Sequence, residues 1–225
     1  MNTLLIKSVA GMLNFLVIVG LCLFLPVMTF NFWQAWLYLA CVFIAVLWIT
    51  VQLLRRDPAL LQRRLRVGMF SEPRLYQRII QTFSSLLFIF TYLISGFDHR
   101  FHWSSVPPFL VITADAVALA GLYIVHSVFK VNSHTSSVIE ISEGQRVIST
   151  GPYAHVRHPL YSGALLMLLA TPIALGSWRG LIAIPPLILV IILRLLDEER
   201  FLRQSLPGYE EYCRLTPWRL IPRIW

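Results

Sequence analysis

The chain has 225 residues, 57% of them hydrophobic and 13% charged, with a formal net charge of +8 and a mean hydropathy of +0.68. A soluble domain carries roughly 25% charged residues, so a soluble globule does not fit, and 3 cysteines in the whole chain do not make a disulfide scaffold. Nucleic-acid binding is a poor account of the positive charge in so apolar a chain, which leaves a polytopic membrane protein.

Runs of about 20 apolar residues suffice to cross a hydrocarbon core of ~30 Å as a helix. Six such runs follow one another, over 9–28, 33–54, 79–97, 106–129, 160–175 and 178–196. The first reads as a retained anchor, because its apolar stretch is too long for a signal-peptide core. The fifth is short, and only Gly176 and Ser177 separate it from the sixth, so the last two form a tight hairpin. Five spans are the alternative, if that pair is re-entrant. Barrel strands would alternate in polarity, and these runs do not. The expected fold is an all-α helical membrane bundle of one domain over 1–225, ending in the hairpin and a C-terminal tail. Pro26, Pro172, Pro185 and Pro186 are expected to kink helices. The last two fall mid-span in the sixth run, where freed carbonyls need other partners.

Six spans put both ends of the chain on one side. That side holds 17 of the 19 Lys and Arg residues, leaving Arg100 and Arg179 opposite. The positive-inside rule makes the rich face cytoplasmic. Trp33, Trp36, Trp103 and Trp178 fall at the outer ends, as an interfacial belt does. The cluster Arg55, Arg56, Arg63, Arg64 and Arg66 reads first as an orientation signal on anionic lipid, with a site for an acidic substrate as the alternative.

The chemistry concentrates in two places. One is Thr150-Gly151-Pro152-Tyr153-Ala154-His155-Val156-Arg157-His158-Pro159-Leu160-Tyr161-Ser162-Gly163. Gly-Pro makes a tight turn, and Pro159 suits the first turn of a helix. Arg157 and His158 then sit at a helix start, where free N–H groups attract an anion, with Tyr153 and Tyr161 beside them. The other is Arg194 followed by Asp197-Glu198-Glu199-Arg200 at the end of the sixth span. Arg194 and Glu198 are one helical turn apart and share a face. The hairpin returns this cluster to the mouth beside His158. Tyr209, Glu210, Glu211 and Tyr212, then Pro217 to Pro222, complete a tail that lies as a lid or an interfacial anchor.

On the pattern GPYxxxRHPxYxG (Gly151 to Gly163), the acidic run Asp197 to Glu199, Tyr-Glu-Glu-Tyr and Arg-Leu-Ile-Pro, the chain resembles the isoprenylcysteine carboxyl methyltransferase family, which is itself similar to the membrane phospholipid methyltransferases. The resemblance spans roughly residues 117–225, and 1–105 carry no motif. It implies an integral membrane enzyme using S-adenosyl-L-methionine. It implies cofactor contacts from Gln145, Arg146, Val147 and Ile148, where the family prefers a histidine-like residue at the position of Gln145. It further implies contacts from Tyr153, from His158, Pro159, Leu160 and Tyr161, and from Glu198. Arg194 is implicated with the substrate, and Arg157 joins Arg194 and Glu198 as the expected catalytic set. The substrate implied is lipophilic or prenylated, met at the membrane lipid, with carboxyl O-methylation the expected reaction.

Three other readings compete. A sterol-reductase-like enzyme using NADPH shares an Arg-His-x-x-Tyr turn and a Tyr-Cys…Pro-x-Arg-x-x-Pro tail, here Tyr212-Cys213 and Pro217 to Pro222, while the Gly-Pro-Tyr before Arg157 favours the methyltransferase. A histidine-bound metal enzyme is disfavoured by the spacing of His99, His102, His126, His134, His155 and His158. A non-catalytic relative is disfavoured by the intact motif. Asp115 lies inside the fourth run, where acids are functional candidates by default, and His126 lies near its end. No disulfide is expected among Cys22, Cys41 and Cys213.

Overall fold

The computed structural model describes residues 2–65, 74–135 and 146–225. The order is α1 (Asn2–Val27), α2 (Trp33–Arg56), α3 (Pro58–Arg64), α4 (Leu75–Phe101), α5 (Pro108–Val131), a 3-10 turn (Gly151–Ala154), α6 (Pro159–Ala174), a second 3-10 turn (Arg179–Ala183), α7 (Ile184–Ser205) and α8 (Tyr209–Leu215). Among the described residues there is no strand, and the fold is an all-helical membrane bundle.

Among the described residues five helical segments are long and apolar enough to cross a membrane, and Pro159–Ala174 is a shorter apolar helix. Its 16 residues rise about 24 Å, less than the ~30 Å core. The six expected runs are therefore six helices, of which five span by length. The second 3-10 turn changes the reading of two prolines. Pro185 and Pro186 are not mid-helix: α7 starts at Ile184 and holds them in its first turn, where the missing N–H groups lack helical partners anyway.

One element was not anticipated. The seven-residue α3 follows α2 directly. Asp57 Oδ1 accepts the Leu60 N–H at 2.9 Å, Pro58 takes the first helical position, and Leu60 and Leu61 are buried. Cap, proline and apolar pair together suffice for one short helix at the bundle end.

The helices are joined by small and polar residues, as expected where lipid removes the hydrophobic drive between helices. Among the described elements α5 and α6 pack most extensively. A Cβ placed on Gly121 would lie 2.5 Å from the Gly163 carbonyl oxygen, and one on Gly163 would lie 2.6 Å from that of Gly121. The Tyr38 hydroxyl meets Tyr92 at 2.9 Å and Thr171 at 3.0 Å, tying α2, α4 and α6 together. Large apolar side chains such as Ile6, Ile44, Phe83 and Ile112 face outward, as they do toward lipid.

Two ends result. At one, the connections after α1, α4 and α6 converge. Asp98 is buried there and accepts from Ser104 at 2.6 Å, from the Arg179 N–H at 3.2 Å, and from Ser177. Trp33, Trp36, Trp103 and Trp178 are exposed around this end. At the other end lie the start of α1, α3, the ends of α2, α5 and α7, and the tail. The tail folds back on the start of α6. The carbonyls of Trp218 and Arg219 accept the N–H groups of Arg157 and His158 at 2.8 and 2.9 Å, and Ser162 donates to the Leu220 carbonyl at 2.6 Å.

Candidate active site

The glycine-proline motif builds one wall of a cavity at this second end. Gly151 has φ +61, and a Cβ there would crowd Val131 at 3.2 Å, so glycine serves both the left-handed turn and the close approach to α5. The 3-10 turn that follows directs Tyr153 inward, where Asn132 donates to its hydroxyl at 2.8 Å. Burial pushes the Tyr153 phenol up to about 12, so it stays protonated. Tyr212 of α8 donates to the Tyr153 carbonyl at 2.8 Å, fixing the tail over the turn.

The centre of the site is a hydroxyl. Tyr161 donates to Glu198 Oε2 at 2.6 Å and accepts from Arg194 Nε at 3.1 Å. The Arg194–Glu198 pair expected along one helix face is thus bridged from α6. Arg194 reaches on to Gln81 of α4 at 3.0 Å.

His158 stands at the head of α6. It is buried, and its Nε2 has no hydrogen-bond partner among the described residues. Burial lowers its pKa below the usual 6.5, with Glu198 and Glu199 opposing and Arg157 and Arg219 adding to the drop. The ring is neutral at physiological pH. The Tyr209 hydroxyl is another buried group without a partner among the described residues, and burial raises its pKa above the usual 10.0.

Arg157 departs from its expected role. Its guanidinium contacts Glu199 at 2.8 Å, with the two side chains 5% and 4% exposed, and donates to the carbonyls of Cys213 and Thr216 at 3.3 Å each. Glu199 also receives Arg219 at 2.7 Å and Arg203 at 3.5 Å. Arg157 borders the cavity, but its charge is spent on Glu199. The N–H groups of Arg157 and His158, expected to await an anion, are already bonded to the tail. Both differences have one cause: the tail caps this helix start from the far end of the chain.

The structure brings most of the expected positions together. Arg146, Val147 and Ile148 line the cavity, as do Tyr153, His158, Pro159, Leu160, Tyr161, Arg194 and Glu198. Gln145 lies outside the described residues, as does Arg66. Asn132, Leu202 and Leu206 line it too and were not foreseen; nothing in their sequence surroundings marks them. Tyr209 and Tyr212, read as lid or anchor, form part of the wall.

Asp115 and His126 stay apart from this cavity. Both are buried in α5, and the His126 ring packs on Trp48 at 4.3 Å.

Comparison with known proteins bears on these helices. Residues 109–207 match the phospholipid methyltransferase family model, a stretch that runs from α5 to the end of α7. A Delta(14)-sterol reductase of Mus musculus is 30% identical over 93 residues, which are 39% of this chain and 22% of the reductase. The chain therefore spans about a fifth of that relative's length. Helices α5 to α7, which carry much of the cavity wall, lie within the stretch that matches the phospholipid methyltransferase family model, and the chain is a multi-pass membrane protein.

Proposed function

We propose that the protein is an integral membrane methyltransferase that uses S-adenosyl-L-methionine to methylate the carboxylate of a lipophilic, isoprenylcysteine-like acceptor at the cytoplasmic face. The observation that carries this reading is the Tyr161 hydroxyl bridging Arg194 and Glu198 inside the motif-built cavity.

The residues fit the cofactor. Its carboxylate, amine, ribose diol and adenine need opposed charges, hydroxyl partners and flat apolar walls. Among the described residues, His158 Nε2 and the Tyr209 hydroxyl are buried without partners, and both residues belong to the same lining. Glu198 suits an ammonium or a hydroxyl pair, Arg146 a carboxylate, and Val147, Ile148 and Leu160 an adenine face. When bound, the cofactor supplies a methyl group on a positively charged sulfur. Arg194 orients the acceptor carboxylate, held in place by Tyr161 and Gln81. An ionised carboxylate needs no base, so alignment and exclusion of water supply the rate. Neutral His158 and protonated Tyr153 add no charge that would compete for the acceptor. Two other readings are tested beside this one: methylation of a phospholipid or other lipid, and an NADPH-dependent reductase, which the sterol reductase match supports.

Methyl transfer from labelled S-adenosylmethionine to a membrane extract, with the product class identified, tests the proposal. Wild type is expected to label an apolar carboxylate, and His158→Ala and Glu198→Ala to lose that labelling. Affinity for NADPH without affinity for S-adenosylmethionine would replace it with the reductase.

A further inference from the structure

Gln77, in the first turn of α4, is a glutamine with no exposed surface. It precedes the stretch that matches the family model and is not among the described residues that line the cavity. Burying a primary amide is costly unless its donors and its acceptor find partners. Two partners of this one lie on α7. Its Nε2 donates to Asp197 Oδ2, and its Oε1 accepts from Arg194 Nη1 at 3.5 Å. A carboxylate accepts and a guanidinium donates. The two neighbours therefore fix the amide in one orientation, nitrogen toward Asp197 and oxygen toward Arg194.

Arg194 and Asp197 are three residues apart on α7, a spacing at which an arginine and an aspartate meet on one helix face. Here each turns to a different group. Asp197 pairs with Arg74 at 3.0 Å, whose guanidinium lies over the Phe201 ring at 5.1 Å. Arg194 donates to Tyr161 through Nε at 3.1 Å and to Gln81 through Nη1 at 3.0 Å. Gln77 stands between the two. Gln77 and Gln81 are one turn apart on α4, and both accept from Nη1, which has two hydrogens to give. The Gln77 contact is the longer and weaker of the pair, so its main effect is separation. An apolar side chain of similar size there would leave Arg194 facing Asp197 with nothing polar between them.

We propose that Gln77 is a positioning residue: its amide keeps the Arg194 guanidinium off Asp197 and turned toward Tyr161 and the cavity. The consequence for turnover rests on the methyltransferase reading, in which Arg194 orients the acceptor carboxylate. The placement of the guanidinium does not depend on that reading.

The test compares the full wild-type chain in nanodiscs with Gln77→Leu and with Gln77→Leu/Asp197→Asn. For each, the structure, the thermal midpoint, S-adenosylmethionine affinity and methylation of N-acetyl-S-farnesyl-cysteine are measured. In Gln77→Leu, Arg194 is expected at ion-pair distance from Asp197 and out of hydrogen-bond reach of Tyr161. KM for the farnesyl probe should rise about tenfold, as loss of one hydrogen bond to a charged group gives. Turnover at saturation should change by less than about threefold, the pattern of lost uniform binding. S-adenosylmethionine affinity should be nearly unchanged, which also reports that the variant folds. In the double variant the competing anion is gone. Arg194 should return to Tyr161 and KM to near its wild-type value, while the midpoint falls further because the Arg74 pair is lost. A glutamine that only supports the fold would instead give losses that add in KM and midpoint alike. That result, or a Gln77→Leu structure with Arg194 still on Tyr161, would overturn the proposal. Should Gln77→Leu fail to fold, Gln77→Asn holds the amide one methylene short and is expected to release Arg194 in the same way. If Arg194 moves as expected while wild type neither binds S-adenosylmethionine nor methylates the probe, the methyltransferase reading fails and the positioning role stands. If wild type methylates the probe and Arg194 does not move, only the positioning role fails.

Discussion

Glu198 and Glu199 are neighbours on α7 and point about 100° apart around it. Glu198 meets Tyr161 in the cavity, and Glu199 is buried among Arg157, Arg203 and Arg219. Removing one partner of a buried ion pair costs about 3–5 kcal/mol, because the other charge stays uncompensated. Glu199→Gln is therefore expected to lower the thermal midpoint strongly. Glu198→Gln is expected to leave the midpoint nearly unchanged and to reduce methyl transfer by about 100-fold or more, on the scale of losing one preorganised site group. Thermal unfolding and turnover measured on the same preparations check both halves, and a reversed pattern would exchange the roles of the two acids. His158 adds a pH dependence. Its folded pKa lies below the unfolded value of 6.5, so the unfolded chain takes up protons first on acidification. Its contribution to stability is present above about pH 6.5 and is lost as pH falls through the folded pKa. The midpoint should drop between neutral and mildly acidic pH in wild type, and drop less in His158→Gln.

Among the elements, the seat of α6 depends on how closely α5 approaches it. With the added Cβ of Gly121 only 2.5 Å from a backbone oxygen, no flexible side chain can yield, and the helices must separate. Gly121→Leu is expected to cost about 1–3 kcal/mol as overpacking and to weaken cofactor binding, because α6 carries His158 and Tyr161. Gly20, with no atom near its Cβ position, provides the control: Gly20→Leu should be mild by both readouts. The same close approach explains which parts of the site were legible in sequence. The motif is contiguous, and the acids follow Arg194 within about one turn, so each cluster could be read locally. The hydroxyl bridge from Tyr161 could not, because it depends on how α6 sits against α7. Asn132 and Gln81 arrive from separate helices as single residues without a pattern. The capping of α6 by residues 218–220 joins positions about 60 apart in sequence, so Arg157 looked available for an anion when it was not. Likewise α3 is too short for helical periodicity, and its only local marks are Asp57-Pro58 and the buried leucine pair. The prolines of α7 were misplaced because the preceding 3-10 turn continues the apolar run.

At the scale of the whole molecule, the cavity, the start of α1 and the C-terminal tail share one end of the bundle, while the tryptophan-rich end carries only short connections. Helix length supports this arrangement less firmly at α6 than elsewhere, since 16 residues reach only about 24 Å. The packing supplies what length does not. The turn after α6 meets Asp98 and Ser104 from the opposite end of α4, so α6 crosses between the same two levels as its longer neighbours. The charge distribution then orients the bundle: with 17 of 19 basic residues in segments assigned to the cavity end, that end is expected to face the cytoplasm. The prediction is that tags at both ends of this chain are cleaved by protease added to inverted inner-face-out vesicles and protected in sealed right-side-out ones. A cysteine placed at Ser105, in a background without Cys22, Cys41 and Cys213, should react with an impermeant thiol reagent only from the other side. Opposite accessibility of the two tags would mean that α6 and α7 together fail to return the chain, leaving an odd number of crossings. Tags on the same face but reversed would preserve the fold and place the site outside, away from a cytoplasmic supply of cofactor.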